Sequence, residues 1–396
     1  MKLQRKSSVL FFSAMLAFIG WASACQNTTV NSQTSDTKKD SVDIHPADTI
    51  KVVGQFNEMA KYIAGMAIDE KSPVAQYTNI SQYKTYCLQS DSVWKKFGEV
   101  TLEKVDDWAK SEIADVNNVH KTIFYPFSGP DYLYVGHFFP KADKIIMFGL
   151  EPVGIPPVPS EMFKDSLKVF SDIDTAMHDA LNLKYFRTID MARDLRNKNV
   201  KGTLPVIMLF VARTGNVLIN VRPVELNADG NIAYLNEFVE YFGNNQYNKG
   251  AELTIFDSKT NSRKTIYYFS ADISDDGLKT NKNCKQFFTK LDTTMVTYIK
   301  SASFLMHRET FTFIRNTVFA KSKVILQDDS GIRFRFFDQK KWNIQLYGVY
   351  TKPFGLFARF MEYDLAKAYI DKKAKPLNFS IGYLTESNML LAKKIK

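Results

Sequence analysis

The sequence is poor in the residues that build metal centres and disulfide frameworks. Its 396 residues include only three cysteines and five histidines. It has no CxxC pair and no HExxH sequence, and the histidines lie far apart along the chain. A zinc site and a disulfide-rich scaffold therefore have no support. No cofactor-binding motif occurs either, so the sequence predicts neither a metal nor a cofactor.

Long apolar runs are also scarce, and the one at the N-terminus has a special form. Three cations, Lys2, Arg5 and Lys6, precede an apolar run at residues 9–19, and small residues then lead to Cys25. This order is typical of a secretory signal. The run is shorter than the about 20 apolar residues that a membrane span needs. We therefore predict that residues 1–24 are a signal peptide and are removed.

The residues just before Cys25 indicate the kind of signal. Ala22-Ser23-Ala24-Cys25 resembles the lipobox read by the lipoprotein signal peptidase, with Ala22 in place of the usual leucine. Several lipid chains on Cys25 would hold the protein to a membrane durably, since stable anchoring needs more than one chain. The alternative is cleavage after Ala24 by the general signal peptidase, which would leave a free thiol.

The segment that follows bears on the location of the protein. Gln26 stands where an aspartate retains enterobacterial lipoproteins in the inner membrane, so we expect the outer membrane, facing the periplasm or the surface. Residues 25–47 are rich in Ser, Thr, Asn, Asp and Lys and can bury little, which predicts a disordered tether. Cys87 and Cys284 would then share an oxidising compartment. They could form a disulfide or stay buried thiols, and the sequence leaves both open.

The remaining composition is that of a globular protein. Hydrophobic residues make up 45% and charged residues 24% of the chain, enough to build a core. The net charge of +10 is scattered. Its densest run, at residues 372–375, lacks the interleaved aromatic residues of a single-strand binder, and an envelope location disfavours nucleic acid as a partner. Membrane lipid, through Cys25, and an unknown ligand or envelope protein are the expected partners.

The pattern of apolar residues predicts a mixed α/β fold with a helical N-terminal layer at residues 48–118. Apolar residues recur at helical spacing over residues 49–68 and again over residues 83–113, with a break near Gly98. A first α/β unit is expected at residues 119–250. It contains strands at 121–127 and 144–149, a helix at 160–182 and a hairpin of 204–211 with 216–221.

A second α/β unit, at residues 251–396, is similar in order. Residues 264–269 resemble residues 121–125 in sequence, and residues 295–299 correspond to the strand at 144–149. The expected hairpin of 323–327 with 332–337 corresponds to the hairpin of the first unit. An internal duplication would explain two similar halves, and chance similarity of α/β segments would explain them equally well. The chain is expected to close with a strand at 342–350, a helix at 356–370 and a strand at 377–384.

Four runs resemble a family of uncharacterised exported bacterial proteins, many of them lipoproteins. These are YPFSGPD (125–131), FGLEPVG (148–154), LQDDSGI (326–332) and NFSIGY (378–383). The resemblance covers residues 121–392. It implies export, and it implies no activity, because none is assigned to the family.

Candidate site residues follow the expected strands, in polar turns that contain Gly or Pro. If the strands are parallel neighbours, these turns meet at one edge of the sheet. The candidates are Ser128, Asp131, Glu151, Arg213, Asp328 and Asp329. An arginine among carboxylates suits a polar ligand, and paired carboxylates could hold a divalent cation or act as acid and base.

Each candidate also has a structural interpretation. The turns after Arg213 and at Asp328 are good hairpin turns, where Asp and Gly have backbone reasons to occur. Ser128 lacks the full GxSxG nucleophile elbow. Glu151, at the end of an apolar run, needs a partner, for which Arg213 and Arg187 are nominated. Among other polar residues, His137 is expected to pack among aromatic rings, and Asp174 with His178 to form an ion pair.

Two functions remain open. The first is a non-catalytic envelope lipoprotein that binds a ligand or a protein partner. The second is an exported hydrolase or transferase that uses the Asp, Glu and Ser residues at the strand ends. A cleft that holds Glu151 beside Asp328 would favour the enzyme, whereas turns dispersed on separate faces would favour the binding protein.

Overall fold

Helices occupy the first part of the described chain. The structure is a computed structural model that describes residues 46–183, 202–239, 249–383 and 386–395. Helix α1 (Pro46–Ile63) carries Phe56, Met59, Ala60 and Ile63 on one stripe, and this stripe faces the core. It is followed by α2 (Ser81–Phe97), α3 (Glu103–Glu112) and α4 (Ala114–Val119). A π-helical turn, Gly98–Leu102, joins α2 to α3 at the break that the sequence predicted near Gly98.

The later helices alternate with strands. They are α5 (Tyr132–Phe138), α6 (Pro159–Lys164), α7 (Ser166–Leu183), α8 (Leu204–Arg213), α9 (Asp275–Thr280), α10 (Lys282–Thr289), α11 (Thr312–Lys321) and α12 (Tyr363–Asp371). The strands are β1 (Thr122–Tyr125), β2 (Lys144–Gly149), β3 (Asn216–Leu226), β4 (Ile232–Tyr234), β5 (Gly250–Asp257), β6 (Ser262–Ser270), β7 (Met295–Ile299), β8 (Ser322–Gln327), β9 (Trp342–Gly348) and β10 (Asn388–Lys394).

One mixed sheet contains all of these strands, in the order β4-β3-β5-β6-β2-β1-β7-β8-β10-β9. The middle of the sheet, from β6 to β8, is parallel. The strands on either side of that middle pair antiparallel. The mixed α/β fold class is therefore confirmed.

The winding of the sheet reverses between β1 and β7. Strand β1 leads through α5 to its neighbour β2, whereas β7 leads through α11 to β8 on the other side. Helix α5 packs in the core on one face of the sheet, and α11 packs in the core on the other face. Right-handed crossovers that proceed in opposite directions place their helices on opposite faces. The reversal leaves a crevice at the carboxyl ends of these strands, where open α/β sheets bind ligands.

Both faces of the sheet are buried, because side chains alternate along each strand. Ile123 and Tyr125 of β1 belong to the core beneath α1, α5 and α8, whereas Phe124 belongs to the core beneath α10 and α11. Cys87 and Cys284 belong to these two different cores, and both are free thiols. The sheet separates them, so the disulfide left open by the sequence does not form.

The first expected hairpin is wrong, because residues 204–213 form helix α8 instead of a strand. The nine residues from Leu204 to Ala212 are all buried. A helix that is apolar on every side has no polar stripe, so its sequence cannot be distinguished from a buried strand by periodicity.

The second expected hairpin and the last expected strand are also wrong. Residues 332–337 contain a 3-10 helix, Phe334–Phe336, and Ile332 pairs its backbone with the side-chain amide of Gln327 instead of a strand. Residues 377–383 bury Phe379 and Ile381 without joining the ladder, and β10 takes the place beside β8. The helix expected at 356–370 is divided into a 3-10 helix, Gly355–Phe360, and α12.

These differences remove the basis for an internal duplication. Neither of the two matched hairpins exists, and the strand pairs are not equivalent. Strands β1 and β2 are neighbours, whereas β6 and β7 have β2 and β1 between them. The strands of both expected α/β units join the same sheet, and the described residues belong to one compact unit. Within the described residues, no helix has the length and apolarity to cross a membrane.

Candidate functional site

A cleft of about 170 Å³ opens at the carboxyl ends of the central strands. Four connections that follow β1, β2, β6 and β7 line it, at residues 127–131, 149–151, 271–273 and 300–305. This is the crevice at the winding reversal between β1 and β7. The sequence-based expectation that Ser128, Asp131 and Glu151 meet at one sheet edge is therefore met by the geometry.

An ion pair lies at the floor of the cleft. The Lys300 Nζ is 2.7 Å from Asp131 Oδ2, and the two side chains are only 2% and 1% exposed. The Tyr125 hydroxyl donates to the same carboxylate oxygen at 2.9 Å, and the Tyr134 backbone N–H donates to the other one. Asp131 therefore caps the N-terminus of α5 and also forms an ion pair with Lys300. The Lys300 ammonium also lies 4.2 Å from the centre of the Tyr134 ring, a cation–π contact.

Burial governs the protonation of the tyrosines around this pair. Desolvation, together with the nearby Asp131 carboxylate, raises the pKa of Tyr125 and of Tyr134 well above the usual range. Both phenols are therefore neutral at physiological pH. Tyr125 therefore acts as a hydrogen-bond donor to Asp131.

Glu151 forms one side of the cleft and is 8% exposed. The Tyr268 hydroxyl lies 2.9 Å from the Glu151 backbone carbonyl and 3.3 Å from Glu151 Oε2. Two glycines lie beside the carboxylate, and one of them makes room for it. A Cβ on Gly149 would overlap Glu151 Oε2, and one on Gly129, where φ is +51°, would lie 3.4 Å from Glu151 Oε1. The close approach of this carboxylate therefore explains Gly149, and the positive φ explains Gly129.

Ser128 anchors the loop that carries it. Its hydroxyl donates to the backbone carbonyls of Gly129 and Phe148, at 2.9 and 3.0 Å. The side chain is buried, and these contacts are to backbone rather than to a base. A serine nucleophile needs a base that accepts its proton. The geometry therefore gives Ser128 a role in loop structure.

The loop after β7 has an unusual backbone. Ser301, Ser303 and Phe304 have φ values of +52°, +51° and +57°, in the left-handed region that non-glycine residues rarely occupy. Phe127, on the opposite wall, has a φ of +60°. Such residues persist only where their surroundings hold them, and they cluster at functional sites.

Asp328 holds this loop from outside the cleft. Its Oδ2 accepts from the Ser301 N–H at 2.7 Å, and the next two N–H groups of the loop donate to Ser330 Oγ and the Tyr383 hydroxyl. Three different side chains thus accept from the backbone of this loop, and Asp328 supports the wall without lining the cleft.

Asp329 is also outside the cleft. It lies with Glu362, Tyr369 and Asn388 around a separate cavity of about 10 Å³. Burial, and then the neighbouring Asp328 carboxylate, raises the pKa of Asp329 well above its ordinary value. Burial likewise raises the pKa of Asp328, against hydrogen bonds from Ser330. These two residues form a buried support, so the pairing of Glu151 with Asp328 in one cleft is not found.

Arg213 lies elsewhere because its expected strand is helix α8. Its guanidinium donates to the carbonyl oxygens of Ala64 and Gly65 and forms an ion pair with Asp91, at distances of 2.7, 3.0 and 2.6 Å. The expected proximity of Arg213 to the carboxylates of the cleft is wrong. Arg187, the other nominated partner of Glu151, lies outside the described residues.

Two further histidine predictions have different outcomes. His137 is buried, and its Nδ1 lies 2.7 Å from Asp106 Oδ1, so it pairs with a carboxylate as well as packing. The side chain of His178, and with it the expected pair with Asp174, lies outside the described residues.

Lys300 and Ser301 are the residues that sequence reasoning missed. Lys300 directly follows the apolar strand β7, just as Glu151 follows the end of β2, so the same criterion of a charged residue after a buried strand could have found it. The hydroxyl of Ser301 lines the cleft, is buried, and has no hydrogen-bond partner among the described residues.

No group of three or more His, Cys, Asp or Glu side chains within the described ranges is arranged to hold a metal ion. The cleft itself is lined by carboxylates, an ammonium group and hydroxyls. A comparison with models of known protein families finds no match to this sequence, and no curated protein matches it.

Proposed function

We propose that this protein is an exported lipoprotein, tethered to the cell envelope by lipid on Cys25, that binds a polar ligand in the cleft between β1 and β7. The signal segment and lipobox-like residues 22–25 support the tether. The similarity of the four motif runs to exported bacterial proteins supports the same location. The Asp131–Lys300 pair carries the argument for the ligand.

A buried ion pair is weak evidence for stability, because desolvation of two charges offsets their attraction. Apolar residues of similar size would serve the core at least as well. The pair lies on the floor of a cleft that Glu151 and Ser301 also line. A small number of polar groups that converge between apolar walls is typical of small-molecule sites. The apolar walls here include Phe127 and Phe311.

The test is a thermal-shift measurement with compact polar probes: galacturonate, glucose, glutamate and lysine. At least one probe should raise the Tm of the full chain. The double variant Asp131→Asn with Lys300→Met, which removes both charges and leaves neither unpaired, should lose the shift. The matched control is Asp257→Asn with Lys264→Met, which removes a second buried pair that lies between β5 and β6, away from the cleft.

The proposal fails if no probe shifts the Tm of the natural chain. It also fails if the cleft variant keeps the full shift while circular dichroism shows that it is folded.

A second candidate is a hydrolase or transferase, and the left-handed residues favour it. Of the six non-glycine residues with positive φ in the described chain, four lie on the two loops at the cleft. Glu151 would act as base and the Lys300 ammonium would stabilise negative charge. Hydrolysis of p-nitrophenyl acetate should then fall about 100-fold in Glu151→Gln. An equal rate in both proteins excludes Glu151 as that base.

A further inference from the structure

Residues 352–359 form a short surface segment that packs on a small aromatic cluster. This cluster, which is separate from the two cores that cover the sheet, consists of Phe304, Phe354, Phe357, Phe360 and Tyr383. Its contacting ring centres lie 4.9 to 6.4 Å apart. Gly355–Phe360 is a 3-10 helix, in which every third residue faces the same way. The phenylalanines at 354, 357 and 360 therefore face the cluster, and Leu356 and Arg359 face solvent.

The solvent side of this segment combines a large apolar side chain with cations. Leu356 is 81% exposed, and Lys352 and Arg359 on either side of it along the chain are also exposed. Arg308 joins them, because the Arg359 and Arg308 guanidiniums lie 4.9 and 5.5 Å from the centre of the same Phe360 ring. An exposed apolar side chain is ordinary on its own. Its position among three cations is the feature that needs an explanation.

The surplus charge on this surface is positive. Residues 349–361 contain no Asp or Glu. None of the three cations has an ion-pair partner among the described residues. Two carboxylates lie nearby: Glu386 accepts hydrogen bonds from the backbone and hydroxyl of Thr351, and Glu309 forms an ion pair with Arg315. The three cations together with Arg315 outnumber these two carboxylates.

We propose that residues 352–359 are a docking segment for an anionic lipid surface, with Leu356 among the headgroups and the three cations on lipid phosphates. The inference rests on the proposed lipid tether, which holds the body beside such a surface. The linker at residues 26–45 can reach at most about 70 Å. A compact domain of this length has a radius of gyration of about 20 Å, so any of its faces can turn to the membrane. The tether also raises the effective concentration of the surface, which makes a weak contact sufficient.

A lipid surface fits this segment better than a second copy of the chain does. A symmetric dimer would place the segment against its own copy, so that Lys352 and Arg359 would meet like charges. Phosphates above acyl chains offer the complementary arrangement, because cations bind at the headgroups while an apolar side chain enters between them. A guanidinium, moreover, matches the geometry of a phosphate with two parallel N–H groups.

The experiment measures the partition of the mature chain onto sedimented lipid vesicles. Both kinds of signal cleavage leave a chain that begins at residue 25, and Cys25→Ala in that chain ensures that no lipid contributes. Vesicles of phosphatidylcholine and phosphatidylglycerol in equal parts should bind it more tightly than vesicles of phosphatidylcholine alone. Leu356→Ser should weaken binding to the anionic vesicles about tenfold, because one apolar side chain no longer enters the surface. Lys352→Gln with Arg359→Gln should weaken it about 25-fold and leave binding to the neutral vesicles unchanged.

The matched controls lie on α2. Leu88→Ser removes a leucine that is 74% exposed, and Lys95→Gln with Lys96→Gln removes two exposed cations. Both should bind as the parent chain does. Leu356→Trp should bind at least as tightly as the parent, since tryptophan is favoured at membrane interfaces. Circular dichroism checks that each variant is folded. The contact is reversible without the lipid, so it does not retain the Cys25→Ala protein on washed membranes.

The outcomes separate this inference from the function on which it rests. Equal binding of the parent and Leu356→Ser, or equal binding of the parent to both kinds of vesicle, would overturn the docking segment. Absence of vesicle binding would overturn it too. Neither result touches the tether, which release of Cys25→Ala from cell membranes tests, or the cleft, which the thermal shift tests. A dimer of the parent that Leu356→Ser abolishes, in a protein that ignores vesicles, would assign the segment to a second copy instead.

Discussion

Glu151 and Lys300 occupy equivalent places, each at the carboxyl end of a buried parallel strand. A charge at such a position is partly desolvated, so it requires donors or an opposite charge nearby. Lys300 has Asp131, and Glu151 has Tyr268 together with the space left by Gly149. Gly149 indicates that the end of β2 is shaped around this carboxylate.

Glu151→Gln separates a functional role from a structural one. The amide keeps the shape of the side chain and removes its charge. If Glu151 contacts the ligand, the variant should lose the probe-induced shift while its own Tm stays nearly unchanged. If the charge is structural, the free energy of unfolding should fall by roughly 1 to 3 kcal/mol. A thermal melt with and without probe decides, and a large fall in stability would remove Glu151 from the site.

Glu362 makes stability depend on pH. Burial raises its pKa from the ordinary 4.5 to about 7, partly offset by a hydrogen bond from the Phe334 N–H. The folded protein therefore binds this proton more tightly than the unfolded chain does. The stabilisation is complete below pH 4.5 and is lost as the pH rises through 7.

His307 acts in the opposite sense. Its Nε2 lies 3.5 Å from Glu362 Oε1, and burial lowers its pKa from 6.5 to about 3. The contribution of neutral His307 to the stability of the folded protein is complete above pH 6.5 and is lost as the pH falls towards 3. Because the two residues oppose each other over much of the acidic range, the natural chain hides both effects, and substitution of one reveals the other.

Glu362→Gln should accordingly gain stability relative to the natural chain as the pH rises. The gap in unfolding free energy between the two should widen by roughly 3 kcal/mol from pH 4.5 to pH 8. Urea unfolding at several pH values measures it. The control is Glu309→Gln, which removes a carboxylate that is 84% exposed. A constant gap for Glu362→Gln would contradict the buried-carboxylate account.

At the scale of elements, helix α8 connects the sheet to the N-terminal helices. It is buried along its length and contacts α1, α5 and β3. Its last residue, Arg213, reaches the carbonyl groups of Ala64 and Gly65, just after the end of α1. A cation at the C-terminal end of a helix satisfies carbonyls that have no helical partner.

Arg213→Ala should therefore lower the free energy of unfolding by roughly 1 to 3 kcal/mol, because two backbone acceptors lose their donor. The measurement is the urea concentration at the midpoint of unfolding. It reports stability if the slope of the unfolding free energy against urea concentration is the same for both proteins. The exposed Lys95→Ala on α2 is the control, with little change expected. A midpoint equal to that of the natural chain would mean that water replaces the guanidinium without loss.

At the scale of the whole molecule, the predicted anchor lies outside the described residues. Cys25→Ala should release the protein from the membrane fraction or block its maturation, since lipidation needs the thiol. Cys87→Ala, which removes a free thiol from α2, should leave both unchanged. Fractionation and the mass of the mature chain measure the outcome. A Cys25→Ala protein that is processed normally and stays bound would exclude the lipoprotein interpretation.

The sequence by itself determines the local features of this protein. Helical spacing predicts α1, α2 and α3, apolar runs predict β1, β2, β7 and β8, and polar turns after these strands predict Ser128, Asp131 and Glu151 at one edge. These predictions succeed because amphipathic periodicity and charged strand ends are properties of neighbouring residues. The same logic fails at α8, where burial on all sides removes the periodic signal. It also fails at residues 377–383, where exposed Asn378 and Ser380 alternate with buried Phe379 and Ile381 as in a strand although the segment joins no ladder.

Only the tertiary structure decides which strand ends meet. Lys300 and Asp131 are 169 residues apart in the sequence and form one ion pair, because β7 lies beside β1. The same strand order places Asp328 behind the cleft, and the helical form of residues 204–213 takes Arg213 away from it. Strand order depends on the packing of the whole sheet and on both layers of helices. No local pattern contains it, and for this reason the sequence predicts Ser128, Asp131 and Glu151 singly but not the Lys300 that pairs with Asp131.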